Sequence, residues 1–201
     1  MTDVAYRTFL ESKIVLSERA GFGVKPAALN PGNFPHQDAA IAWAAGIGRA
    51  LIATSFGLGK TRVQCELARL THERTGQPFL VVCPLGVKHQ FQQEDGPVLG
   101  MDWQYVRTDA EAKAATSPYL ITNYERVRDG NITEATIAGL GGVSLDEGSV
   151  LRSLDSKTSD VFKGLFSKTA FRFVATATPS PNDYKELIYY AEFLGVMDHG
   201  Q

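Results

Sequence analysis

The stretch Ala50-Leu51-Ile52-Ala53-Thr54-Ser55-Phe56-Gly57-Leu58-Gly59-Lys60-Thr61 decides how this chain is interpreted. An apolar, strand-like run enters a glycine-bearing loop, and Lys-Thr then opens a helix-compatible run at residues 62–69. This order is the layout of a phosphate-binding P-loop, whose backbone N–H groups curl round an anion at the positive end of a helix. We therefore predict that Gly57, Leu58 and Gly59 surround ATP. Lys60 would reach its β- and γ-phosphates, and the Thr61 hydroxyl would bind Mg²⁺.

The match to the common P-loop pattern is imperfect. The usual pattern places glycine five residues before the second loop glycine, and here that position is Thr54. The alternative interpretation is a glycine-rich strand-to-helix turn followed by an exposed lysine.

Bulk composition is that of a globular protein with one real core. The chain has 201 residues, of which 44% are hydrophobic and 21% charged, and its net charge is −2. This balance argues against a histone-like or tail-driven nucleic-acid binder. No signal peptide or membrane span is evident, and Cys65 and Cys83 do not form a metal or disulfide pattern. These features predict reduced thiols and a cytoplasmic protein without membrane contact.

Strand and helix signals alternate after an N-terminal extension at residues 1–33, which includes a candidate helix at residues 6–18. Strands are predicted at Ala50–Thr54, Phe79–Cys83, Tyr119–Thr122, Gly142–Leu145 and Phe171–Thr176, with a weak one at Trp103–Val106. Helices are predicted at Gln37–Gly46, Thr61–Thr75, Val87–Glu94, Ile132–Gly139, Ser159–Phe166 and Asn182–Leu194. Near-continuous apolar strands between helices indicate an α/β fold with a mostly parallel sheet covered on both faces. Ligands of such folds bind at the carboxyl ends of the strands.

Asp146-Glu147 follows the apolar run Val143-Ser144-Leu145 about 85 residues after the P-loop. A strand that ends in Asp-Glu is the Walker B arrangement. Asp146 would hold Mg²⁺, and Glu147 would act as general base on the attacking water. Taken alone, Asp-Glu at a strand end is usually a helix cap or a solvated turn.

Two further segments carry polar groups that suit a nucleotide site. Thr176 and Thr178 follow an apolar strand, where their hydroxyls can link the Asp-Glu pair to a neighbouring lobe. The alternative is a plain strand-to-helix turn. Gln37, upstream of the P-loop, can pair with adenine through its amide, and Phe34 can stack on the base. The alternatives are a surface residue at a helix start for Gln37 and simple packing for Phe34.

Together, six segments in order resemble the first motor lobe of superfamily 2 helicases and translocases, especially the Snf-type branch of DNA translocases found in bacteriophages and bacteria. The resemblance covers residues 34–197 and is carried by Pro35-His36-Gln37, Ser55–Thr61, Val81–Leu85 with Gln90–Glu94, Leu120–Arg126, Leu145–Ser149 and Ala175–Pro179. It implies a RecA-like ATP-binding lobe at residues 34–201.

The resemblance also implies contacts with DNA. The expected contacts follow the second and fourth strands, at Pro84, Lys88, His89, Asn123, Tyr124 and Arg126. Such contacts position a phosphate backbone without reading its sequence, so binding would be sequence-independent, salt-sensitive and directed to duplex DNA. In the absence of DNA contact, Lys88 and Arg126 would belong to a solvated helix face. Thr176 and Thr178 would couple ATP hydrolysis to DNA.

Three departures from the family pattern bear on activity. Gly148-Ser149 stands where the family has Ala-His, and Thr54-Ser55 stands where it has Asp-Glu. The resemblance implies a second RecA-like lobe, which supplies the arginine finger and which we expect to be missing from this chain. We therefore expect an ATP hydrolase whose isolated lobe binds ATP but turns it over poorly. The alternative functions are a non-hydrolysing nucleotide-binding interaction module and, with less support, a small kinase.

Overall fold

The computed structural model describes residues 20–148, 156–179 and 186–196. The predicted helix at residues 6–18, Ser149 and the predicted start of the last helix at residues 182–185 lie outside this part of the chain.

Six strands form one sheet in which every neighbouring pair is parallel. The strands are β1 (Arg49–Ala53), β2 (Phe79–Cys83), β3 (Trp103–Tyr105), β4 (Tyr119–Asn123), β5 (Gly142–Asp146) and β6 (Phe171–Thr176). Their order across the sheet is β1-β6-β5-β2-β4-β3. The predicted α/β class is confirmed, and each predicted strand is present with its ends displaced by at most one residue.

Helices connect the strands. They are α1 (Pro35–Ile47), α2 (Lys60–Thr75), α3 (Asp109–Ala114), α4 (Tyr124–Arg128), α5 (Glu134–Ile137), α6 (Ser156–Phe166) and α7 (Glu186–Leu194). The predicted helix at Val87–Glu94 is present as a helical run at residues 88–98, which is π-helical at Gln90–Asp95 and ends in one α-helical turn at Gly96–Val98. The two short helices α3 and α4 were not predicted.

Apolar side chains fill both faces of the sheet. On one face, α1 and α2 contribute residues such as Ile41 and Leu67, which belong to the same buried cluster as Phe173 of β6. On the other face, Phe162 of α6 and Phe193 of α7 belong to a second cluster. This two-sided burial explains why the strands have near-continuous apolar sequences.

Both cysteines lie in the core as free thiols. Burial raises the pKa of the Cys83 thiol to about 12, with the nearby Asp146 charge acting in the same direction. Such thiols are poor nucleophiles because they stay protonated. Within the described ranges, no helix is long and apolar enough to cross a membrane.

The strand register brings the predicted site segments together. Ala53, the last residue of β1, pairs with Thr176 in β6, and Asp146 of β5 pairs with Ala175. Because all six strands run the same way, their carboxyl ends share one edge of the sheet. The P-loop, the Asp146-Glu147 pair and Thr176 therefore meet at that edge. The register of the strands, and not only their order in the sheet, brings them together.

Candidate functional site

The loop between β1 and α2 contains two glycines with left-handed backbone angles. Gly57 has φ 78° and Gly59 has φ 74°, and Gly59 caps α2 so that Lys60 is its first residue. A Cβ atom at Gly59 would lie 2.2 Å from Nε2 of Gln37. The left-handed backbone favours glycine at this position, and a Cβ there would also displace the Gln37 amide. The first turn of α2 presents backbone N–H groups that have no helical partner, which suits an anion.

Lys60 is half-buried at the start of α2. Its Nζ atom lies 5.0 Å from the centroid of the Phe56 ring, which is 74% exposed. A cation–π contact at such an exposed site contributes only about 0.5–1 kcal/mol. A phosphate group would therefore compete readily with the ring for this ammonium.

The Thr61 hydroxyl contacts the segment that follows β2. Oγ1 donates a 3.2 Å hydrogen bond to Oε1 of Gln90, and Thr61 is 8% exposed. Gln90 begins the π-helix after β2. Gln90 begins one of the segments that carry the family resemblance, but its contact with Thr61 was not predicted because the two residues are 29 positions apart.

Gln37 connects α1 to the P-loop. Its Oε1 atom accepts a 2.9 Å hydrogen bond from the backbone N–H of Phe34, and its Nε2 atom donates at 3.3 Å to the carbonyl oxygen of Leu58. His36 Nε2 lies 3.2 Å from the same carbonyl. Gln37 is 3% exposed, so the alternative of a surface residue is wrong. Its amide supports the loop on which the predicted ATP contact depends.

Phe34 lies next to this junction. Its ring is 65% exposed and stacks on His36 with centroids 5.8 Å apart and planes at 10°. The exposed aromatic face beside the P-loop is available to a flat ligand such as a purine base.

Asp146 ends β5 and is 5% exposed. Burial raises the pKa of its carboxyl to about 6, and the Glu147 charge acts in the same direction, whereas the Gln64 hydrogen bond and the Lys60 charge favour the ionised form. A cation bound beside this buried carboxylate would stabilise its ionised form and lower its pKa.

Glu147 is the one described residue other than glycine with a positive φ, at 50°. Thr176 Oγ1 donates to its Oε1 at 3.4 Å, and the backbone N–H of Thr178 donates to Thr176 Oγ1 at 3.2 Å. The end of β6 is thus connected to the side chain predicted to act as general base. Strain at a non-glycine residue persists only where its surroundings hold it, and such residues cluster at functional sites.

Gly148 explains one departure from the family pattern. A Cβ atom there would lie 2.3 Å from Cγ1 of Val174 and 3.3 Å from Cε1 of Tyr190. The alanine found at this position in the family pattern would therefore clash with the second core cluster.

Two buried residues at the site were missed. Ser144 Oγ donates a 2.6 Å hydrogen bond to Oε1 of Gln64, whose Nε2 donates at 2.6 Å to Oδ1 of Asp146. Ser144 and Gln64 are both fully buried. A polar glutamine among the apolar positions of α2, one turn after Lys60-Thr61, was the available signal.

The donor set suits Mg²⁺ only together with a nucleotide. Within the described ranges, no group of three or more His, Cys, Asp or Glu side chains is arranged to hold a metal ion. Mg²⁺ usually binds through one or two carboxylates, waters and substrate phosphates. Asp146 supplies the carboxylate and Thr61 a hydroxyl oxygen. Gln64 lies one helical turn after Thr61 and contacts the Asp146 carboxylate directly, so the start of α2 lies close to that carboxylate. These residues therefore fit a magnesium ion that arrives with ATP.

The segment after β2 exposes part of the predicted DNA surface. Lys88 Nζ lies 4.6 Å over the Tyr105 ring. His89 is exposed, with Nδ1 2.7 Å from the Gly86 carbonyl oxygen and Nε2 3.5 Å from Glu94. Pro84 is half-buried at the start of this segment. Solvent reaches all three residues.

The segment after β4 differs from the expected surface. Tyr124 is 4% exposed and its hydroxyl donates to the Asp146 carbonyl oxygen at 2.9 Å, so it is a core residue. Asn123 is 7% exposed, accepts from the Tyr105 hydroxyl and donates to Glu125. Arg126 is half-buried and donates to Asn131 at 3.3 Å. The side chains of Asn123 and Tyr124 therefore support the fold here and do not face solvent.

The chain resembles a known domain family and several solved structures. The model of the SNF2-related domain matches residues 36–200. No curated protein matches significantly.

Solved structures share the fold at low sequence identity. The UvsW helicase from bacteriophage T4 is 14% identical with a TM-score of 0.65, over 93% of this chain and 65% of that one. The Sulfolobus solfataricus SWI2/SNF2 ATPase core in complex with dsDNA is 19% identical with a TM-score of 0.67, over 85% of this chain and 37% of that one. The Hef helicase domain of Pyrococcus furiosus is 16% identical with a TM-score of 0.57, over 80% of this chain and 36% of that one.

This chain thus spans between about a third and two thirds of the length of those proteins. Its family match covers most of its own length and includes the P-loop, the Asp146-Glu147 pair and the end of β6. The chain therefore belongs to the SNF2-related domain family and has the fold of a superfamily 2 helicase or translocase motor lobe.

Proposed function

We propose that this chain is the ATP-binding first motor lobe of a DNA-dependent ATPase that couples ATP hydrolysis to movement on DNA. One observation carries the proposal: the start of α2 at Lys60-Thr61 and the Asp146 carboxylate lie at the same edge of the sheet. Gln64 of α2 donates a 2.6 Å hydrogen bond to that carboxylate. A mere glycine-rich turn would not need an acidic strand end facing it.

In this proposal, the P-loop glycines and the N-terminus of α2 bind the phosphates, and Lys60 contacts the β- and γ-phosphates. Thr61 and Asp146 would hold Mg²⁺, which neutralises charge on the triphosphate. The Thr61 hydroxyl can keep donating its proton to Gln90 while an oxygen lone pair binds the metal. Gln37 and Phe34 would bind the adenine, and the amide of Gln37 would then exchange a P-loop contact for the base.

Glu147 is the proposed general base. Thr176 donates to the Glu147 carboxylate and would orient it toward the attacking water. Because the backbone N–H of Thr178 donates to the same Thr176 hydroxyl, a movement of Glu147 would be transmitted to Thr178. This chain of contacts is the proposed route by which hydrolysis is coupled to the rest of the motor.

The proposed DNA path crosses the loop after β2, where Pro84, Lys88 and His89 are accessible. The solved SWI2/SNF2 core in complex with dsDNA supports duplex DNA as the partner. Arg126 would add a phosphate contact, and Asn123 and Tyr124 would contribute through the backbone of their segment. Because that core is more than twice the length matched here, a second RecA-like lobe is the other proposed partner. The cytoplasm of a bacterial or phage-infected cell is the proposed location.

The test is ATP turnover by this chain with and without duplex DNA, with Glu147→Gln as the blank. Turnover that rises with DNA and is lost in Glu147→Gln supports the proposal. If turnover equals the blank, a second RecA-like lobe is supplied in trans. Continued inactivity with ATP bound would favour the non-hydrolysing interaction module, and failure to bind ATP would overturn the proposal.

A further inference from the structure

A buried amide links the metal-binding strand to the helix that carries the P-loop lysine. Ser144 and Asp146 are two residues apart on β5, so their side chains lie on the same face of the sheet. Gln64 of α2 packs over that face and contacts both, accepting from Ser144 Oγ and donating to Asp146 Oδ1, each at 2.6 Å. All three residues are at most 5% exposed.

The chemistry of the partners determines which way the amide faces. An ionised carboxylate only accepts hydrogen bonds, so the NH₂ group of Gln64 must face Asp146. The serine hydroxyl can donate, and it does so to the remaining amide oxygen. Reversing the amide would place its oxygen against the carboxylate, which is repulsive. Ser144 therefore sets the orientation of Gln64, and Gln64 in turn sets the rotation of the carboxylate.

We propose that Gln64, oriented by Ser144, is a positioning residue that holds the Asp146 carboxylate in the rotation required to bind Mg²⁺ with ATP. This inference rests on the proposed nucleotide site. Residues that hydrogen-bond to a metal ligand without binding the metal themselves typically contribute 10–100-fold to metal affinity. The bond also connects α2 to β5, so the two halves of the site, Lys60-Thr61 and Asp146, are held in one relative position.

A purely structural role predicts a different result. If the three side chains only satisfy one another in the core, their removal lowers stability and leaves the magnesium dependence of nucleotide binding unchanged. The decisive quantity is the ratio of nucleotide affinity with Mg²⁺ to that in EDTA.

The experiment measures binding of a non-hydrolysable ATP analogue by titration calorimetry, with Mg²⁺ and with EDTA. Gln64→Leu removes both hydrogen bonds in a side chain of similar size. Gln64→Asn keeps a polar amide but shortens its reach by one methylene. Ser144→Ala removes only the bond that orients the amide. Thermal unfolding of each variant confirms that it is folded.

We expect the Mg²⁺-to-EDTA affinity ratio to fall roughly tenfold in Gln64→Leu and Gln64→Asn, and by less in Ser144→Ala, while the affinity in EDTA changes less than about twofold. An unchanged ratio in any folded Gln64 variant would overturn the inference. If Gln64→Leu does not fold, Gln64→Asn decides. Failure of the unmodified chain to bind the analogue at all would instead count against the proposed function.

Discussion

The Tyr124 hydroxyl donates a 2.9 Å hydrogen bond to the backbone carbonyl oxygen of Asp146. Tyr124 directly follows β4 and Asp146 ends β5, and β2 lies between these two strands in the sheet. The bond therefore spans a whole strand at the edge where the candidate site lies. It joins the segment expected on the DNA side to the segment expected on the nucleotide side.

Tyr124→Phe should destabilise the fold. The substitution leaves the Asp146 carbonyl oxygen without this partner inside the core, a loss worth about 1–3 kcal/mol. Urea unfolding measures the free energy, and the melting temperature should drop by about 2–4 °C per kcal/mol for a chain of this size. The control is Tyr189→Phe, because Tyr189 is 39% exposed and should change stability little. Equal stability of the two variants would mean that the Tyr124 bond contributes nothing.

Lys60→Ala should weaken binding of Mg-ATP by roughly 10–100-fold, because it removes a charged hydrogen-bond donor worth about 1.5–3 kcal/mol. Titration calorimetry gives the dissociation constants. Stability should change little, since Lys60 makes a weak cation–π contact with the exposed Phe56 ring and its charge is a minor influence on Asp146 beside burial and the Gln64 hydrogen bond. Lys113→Ala, on the exposed face of α3, is the matched control and should bind as the unmodified chain does. Unchanged affinity in Lys60→Ala would contradict the P-loop assignment.

Asp109 should make stability depend on acid pH. Burial tends to raise the pKa of its carboxyl, but hydrogen bonds from the hydroxyls of Thr133 and Thr136 and the backbone N–H of Thr133 outweigh this and lower it. A carboxyl whose pKa is lower in the folded state than in the unfolded state stabilises the fold at any pH above its unfolded-state pKa. For Asp109 this contribution is lost as the pH falls from its ordinary pKa of 3.8 through its lower folded-state pKa.

The stability difference between the unmodified chain and Asp109→Asn should therefore be about 1–2 kcal/mol at pH 6 and should shrink as the pH approaches 3. Urea unfolding across this range measures it. Asp102→Asn, at an exposed aspartate, is the control and should show no such difference. A difference that stays constant with pH would show that the charge of Asp109 is not what stabilises the α3–α5 contact.

Gly148→Ala should destabilise the fold although alanine is the family residue. The added Cβ would lie 2.3 Å from Val174 Cγ1, and overpacking of this kind costs about 1–3 kcal/mol. Gly164→Ala is the matched control, because Gly164 lies in α6 with open space around it and alanine there should stabilise by about 0.5–1 kcal/mol. Chemical unfolding of both variants should give changes of opposite sign. A neutral Gly148→Ala would mean that the second core cluster adapts.

Elements with a long, regular pattern were predicted well from the sequence. Each apolar strand was located within one residue, because a strand buried on both faces has an apolar sequence bounded by polar turns. The short helices α3 and α4 were missed, since Asp109–Ala114 and Tyr124–Arg128 are too brief to show a helical period. The Val87–Glu94 helix was located correctly, but its π-helical part at Gln90–Asp95 was not foreseen, because local pattern does not distinguish an α-helix from a π-helix.

The candidate site shows the same division. Local patterns suffice to place Gly57, Gly59 and Lys60-Thr61 in a strand-to-helix loop and Asp146-Glu147 at a strand end. The burial of Tyr124 and the contacts of Gln64, Ser144 and Gln90 at the site depend on the folded chain. The hydrogen bonds of these four side chains join residues that are 22 to 82 positions apart in the sequence. Such partners are chosen by the register of a parallel sheet and by the packing of α2 on β5, and no short stretch of sequence encodes them.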